Sequence, residues 1–150
     1  MFKILLALHL LAAIFAVGPL VHAATTASRG LRTGDAAATA SSARTAALYS
    51  YASVLVVVLG FGLMSAKAPW DSSKHVADFG DPYIWVSLLL WALAIAITLV
   101  VIVPTLQQAT KNLGSGVGVD GLTARVAGGG GLVGLIFAAI VFLMVYQPGS

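Results

Sequence analysis

Three histidines and five aspartates supply all the imidazole and carboxylate side chains of this chain, which contains no Glu and no Cys. The missing cysteine excludes thiolate nucleophiles, disulfides and cysteine-ligated iron–sulfur clusters. One histidine stands apart. His9 lies inside the apolar run Ile4 to Ala23, where an ionisable side chain is costly unless it faces protein, water or a ligand. Neutral imidazole is a good ligand for iron, so His9 is the candidate cofactor-binding residue, with haem b as the group it would hold. Its alternative role is a bundle histidine, hydrogen-bonded to a neighbouring helix. A second axial ligand is hard to find. His22 is thirteen residues on, about 20 Å along a helix axis and roughly 220° around it. The later apolar runs contain no histidine. The packing role is therefore the expectation, without a cofactor.

The remaining candidates are weaker. His22 falls at a membrane boundary, where water or headgroups meet it. Asp71, His75 and Asp78 form a loose oxygen and nitrogen set, but they share a polar loop and are expected to be solvated. No metal centre is assigned to them. Gly128 to Gly131 follow no strand and precede no Lys-Ser/Thr, so they are not a phosphate loop and mark a hinge or a close-packing site. No catalytic residue emerges, and an enzyme is not expected.

Whatever His9 does, apolar helices must position it. Apolar residues make up 59% of the chain and charged ones 9%, against about 25% charged in a soluble domain. Mean hydropathy is +0.99. The chain reads as a single integral membrane domain over residues 1–150. Its net charge of +3 is dispersed, which argues against nucleic acid as a partner.

Four runs reach the roughly 20 residues that a bilayer core demands, and they predict an all-α, four-transmembrane-helix bundle. The spans are 4–23, 47–66, 82–106 and 130–147. The first could also be a signal peptide ending at Val21-His22-Ala23, but its apolar run is longer than a signal core, so an uncleaved span is expected. Pro19 near its far end predicts a kink. Residues 24–46 are a polar connection whose alanines allow some helix beyond the membrane, with breaks at Gly30 and Gly34. Gly80-Asp81-Pro82 predicts a helix start with Asp81 as cap and Pro82 at the first position. Residues 67–81 read as a loop and 107–129 as a glycine-rich connection.

Small or polar residues at helical spacing assign the contact faces. On the first span these are Ala12 and Ala16, in line with His9, and on the second Ser53 and Gly60. On the third a stripe runs through Ser87, Trp91, Ala94, Thr98, Val101 and Thr105. On the fourth, Gly130, Gly134 and Ala138 form a small-xxx-small ridge. Connections 24–46 and 107–129 carry Arg29, Arg32, Arg44, Lys111 and Arg125, whereas the other side carries Lys3, Lys67 and Lys74. The positive-inside tendency then places those connections in the cytoplasm and both termini outside.

The opening Phe2-Lys3-Ile4-Leu5-Leu6-Ala7-Leu8-His9-Leu10-Leu11-Ala12-Ala13 resembles the LHxLAA start of a group of small four-helix bacterial membrane proteins of unknown function. Val103-Pro104-Thr105-Leu106-Gln107 resembles the VPxxQ element of that group. More distantly, the opening is similar to copper-resistance D-type membrane domains and to haem-binding protoporphyrinogen-oxidase-like membrane proteins, whose first-helix histidine matches His9. The resemblance implies a multi-pass protein of the bacterial plasma membrane. The expected role is structural or accessory, packing with a second copy as a homo-oligomer or as a subunit of a larger membrane complex. A haem- or metal-binding redox or transport role through His9 is the alternative.

Overall fold

The computed structural model describes residues 1–69 and 71–148, apart from the side chains of Ser72 and Ser73. Four long helices make the fold: α1 (Phe2–Arg32), α2 (Ala36–Met64), α3 (Pro82–Gly114) and α4 (Asp120–Tyr146). Each is long and apolar enough to cross a membrane. Between α2 and α3 a small hairpin pairs β1 (Lys67–Ala68) with β2 (Asp71–His75), antiparallel, with an irregularity between Lys67 and Ala68. The expected loop at 67–81 thus holds a short ladder. No alternating apolar pattern announces it, because its first strand has only two residues, exposed Lys67 and buried Ala68, too few to show an alternation.

Helices α1 and α2 pack side by side, as do α2 with α3, α3 with α4, and α4 with α1. Neither diagonal makes comparable contact. This is an up-down-up-down bundle, the arrangement that short links between antiparallel neighbours produce. Only residues 33–35 join α1 to α2, and 115–119 join α3 to α4. The first link turns at Gly34, whose φ of +69° suits glycine, and Asp35 Oδ1 accepts the Ala38 N–H at 2.9 Å as the α2 cap.

The helices run well past the expected spans. α1 has 31 residues, roughly 46 Å at 1.5 Å each, against about 30 Å of hydrocarbon. Gly30 is therefore no break: it lies inside α1, close against Thr39 of α2. Much of the core sits in this extension. Ala24, Ala27 and Leu31 cluster there with Ala43, Ala109 and Val126, continuous with Leu20 and Leu106 at the span ends, while residues 2–12 include no buried residue. The reason is a change of solvent along each helix. In lipid the outer face is apolar, as at Ile4, Leu8, Leu11 and Phe15. In water it must be polar, as at Thr25, Thr26, Arg29 and Arg32, so the apolar residues there turn inward.

Both prolines inside helices follow a stretch of wider π-helical turn. Ala13–Val17 precedes Pro19, and Ile97–Ile102 precedes Pro104. A proline deprives an upstream carbonyl of its partner, and a π-bulge is one way a helix absorbs that loss without ending. The wider turn also moves the inward stripe of α3. Ala94, Thr98, Ile102 and Leu106 are buried at steps of four, which would drift about 40° each on a regular α-helix, with Ala109 three residues further on and Val103 and Thr105 buried beside them.

Candidate functional site

His9 is carried on the first third of α1, where Leu5 and His9 share one face and pack on the glycines of α2. A Cβ placed on Gly60 would stand 3.2 Å from His9 Cε1 and 3.6 Å from Nδ1. One placed on Gly62 would stand 3.8 Å from Leu5 Cδ2. The missing side chain of Gly60 thus leaves room for the imidazole against α2, beside the Val56 backbone. Nδ1 is buried and has no hydrogen-bond partner. Ser87 Oγ is the other buried side-chain polar atom without one among the described residues. Ala16, in line with His9, is buried and Ala12 is half-buried.

The polar side chains of the interior are otherwise spent on holding helices. Trp91 Nε1 donates to Ser53 Oγ at 3.0 Å, joining α3 to α2. Ser53 Oγ in turn donates to the Ser50 carbonyl at 2.7 Å, and Ser50 Oγ to the Ala46 carbonyl at 2.7 Å. Thr98 Oγ1 donates to the Ala94 carbonyl at 2.8 Å. Back-bonded hydroxyls of this kind are satisfied locally and leave little to offer a substrate.

Among the described glycines, the tightest approach lies between α4 and α1. A Cβ on Gly130 would overlap the Ala24 carbonyl oxygen and stand 2.8 Å from its carbon. Gly134 meets Thr25 Cγ2 at 3.2 Å by the same measure, and Gly129 meets Ile102 Cγ1 at 3.2 Å. The four-glycine run is helical throughout. Ala138 departs from the expected ridge and is exposed. A spacing of four drifts about 40° per step, so the third member leaves the face that a seven-residue step would keep. Phe137, seven residues after Gly130, is buried instead, together with Val133.

The other candidates lie apart. His22 is exposed on α1. His75 Nδ1 lies 3.0 Å from the Ser65 carbonyl in the hairpin, and Asp78 Oδ1 accepts the Gly80 N–H at 3.1 Å. Among the described residues no three of His, Asp, Glu or Cys are grouped to hold a metal ion. Asp81 occupies the cap position of α3, with Pro82 following, but makes no side-chain bond into the helix. Its Oδ2 accepts the Asp78 N–H at 2.8 Å, so the carboxylate ties the loop instead. Comparison with family models, with curated proteins and with solved structures found no match.

Proposed function

We propose that this chain is a structural or accessory protein of a bacterial plasma membrane, working beside a second copy or as part of a larger membrane complex. The observation that supports this reading is the use made of its interior polar groups. Trp91, Ser53, Ser50 and Thr98 bond to one another or to their own helices, and His9 packs against Gly60. The glycine contacts at Gly60, Gly130 and Gly134 are taken up inside the bundle. A partner would meet the exposed apolar faces of the helices, among them Leu135, Ala138, Ala139 and Phe142 on α4. Connections 24–46 and 107–129 face the cytoplasm in this reading and both termini lie outside.

A second reading keeps His9 as a haem or metal ligand, and the unpaired, buried Nδ1 is what favours it. The visible absorption spectrum of protein purified from its native membrane separates the two. The accessory reading expects no Soret band, and an unchanged fold and partner set in His9→Gln. A Soret band lost in His9→Gln, with the four helices still inserted, overturns it.

A further inference from the structure

One side of the bundle holds a groove that no helix fills. It runs between α2 and α3 near the short connections, with a volume of about 380 Å³. Its α2 wall is Ala40, Ala43, Arg44 and Ala47, and its α3 wall is Gln107, Thr110 and Lys111. Each set falls on one helix face, its members linked by separations of three or four residues. Small side chains open the groove, and the two cations flank it.

We infer that this groove binds the phosphate of an anionic phospholipid, held between Arg44 and Lys111. Neither cation makes an ion pair among the described residues, and no carboxylate lines the groove. The donors suit a phosphate: the Arg44 guanidinium as a planar fork, the Lys111 ammonium as a point charge, and the Gln107 amide. Thr110 is not among them, because its hydroxyl hydrogen is committed to the Leu106 carbonyl at 2.8 Å. Cationic sites between membrane helices near the interface are a known way to hold lipid headgroups.

Depth and continuity point to a lipid and not to a free anion. Ala47 and Gln107 stand at the boundaries of the apolar runs 47–66 and 82–106. Beyond Ala47 the same α2 face continues as Tyr51, Val54 and Val58, all exposed. Val100, seven residues from Gln107 toward the middle of α3, is exposed too. A phosphate at Arg44 would therefore leave its acyl chains along an apolar track already facing the membrane. This inference goes beyond the accessory role and does not depend on it.

The test measures retention of phosphatidylglycerol against phosphatidylcholine by the full chain in mixed micelles, using native mass spectrometry. The parent protein should retain phosphatidylglycerol preferentially. The double variant Arg44→Gln/Lys111→Gln should bind it roughly thirtyfold more weakly, the effect of removing two basic residues from an anionic lipid. Arg29→Gln/Arg32→Gln, with the same charge change outside the groove, should keep the preference. Gln107→Glu, a single change at an exposed position, should reduce the preference by adding a like charge, and it serves as the test if the double variant does not fold. Equal loss in both double variants would reduce the effect to general surface charge and overturn the site. So would equal retention of the two lipids by the parent, or inorganic phosphate displacing phosphatidylglycerol at comparable concentration.

Discussion

At the scale of single residues, glycine does more for this protein than any titratable group. Helices in lipid gain nothing from burying apolar surface against one another, so their association rests on close packing and on bonds between helices. Gly130 takes this to its limit, since even a methyl group there meets the Ala24 backbone, which cannot rotate away. Gly131, one position on, has nothing within 4 Å of its Cβ direction. Gly130→Ala should accordingly lower stability by about 1–3 kcal/mol through overpacking. Gly131→Ala should leave stability unchanged or raise it by up to about 1 kcal/mol through helix propensity. Thermal unfolding of both variants in the same detergent checks the contrast, and equal melting would mean that α4 and α1 do not meet at Gly130. Val133, beside the small-residue ridge, is fully buried and belongs to the core.

At the scale of elements, the bundle depends on very short links and on two helices that pass through prolines without stopping. The three residues between α1 and α2 must reverse the chain and also satisfy the free N–H groups at the start of α2. Asp35 supplies the acceptor and Gly34 the left-handed turn. Asp35→Ala should cost roughly 0.5–2 kcal/mol, the usual value of a lost N-cap, while Asp35→Asn should cost little. Chemical unfolding in detergent measures both, and an Ala variant as stable as the parent would show that the cap bond is not held in solution. The π-helical turns before Pro19 and Pro104 serve a related purpose. Each absorbs the proline locally, so the residues beyond it keep facing the core: Leu20, Ala24 and Ala27 on α1, and Leu106 and Ala109 on α3.

At the scale of the whole molecule, charge divides the two ends. The end with the short links carries Arg29, Arg32, Arg44, Lys111 and Arg125 against Asp35 and Asp120. The end with the termini and the hairpin carries Lys3, Lys67 and Lys74 against Asp71, Asp78 and Asp81. In side-chain charges that is 5 − 2 = +3 at one end and 3 − 3 = 0 at the other, so the whole formal excess of +3 sits beside the links. The lysine and arginine bias predicts that this end stays in the cytoplasm. The chain has no native cysteine, and Arg29 and Lys74 are both exposed. An impermeant thiol reagent applied to intact cells should therefore label Lys74→Cys and spare Arg29→Cys. The reverse pattern would invert the topology.

Much of this was legible in the chain itself. Four apolar runs of bilayer length predict four spanning helices, because that requirement is met by one segment at a time and leaves a local signature. Pro82 at the first position of α3 is readable for the same reason, since the constraint lies within a few residues of it. The small residues at Gly60, Gly130 and Gly134 were visible as candidates for close contact, but which helix each would meet was not. Gly130 meets Ala24, Gly60 meets His9, and Arg44 shares a groove with Lys111, across separations that no periodicity encodes. The packed extension beyond the membrane was hidden because alanine, glycine and threonine read as connection when taken alone. Placed opposite one another on four helices, they become an interior. Local composition decided that four helices are long and apolar enough to cross a membrane. Which side chains meet was decided only when the helices closed on each other, because a contact belongs to two surfaces and each segment of sequence describes one.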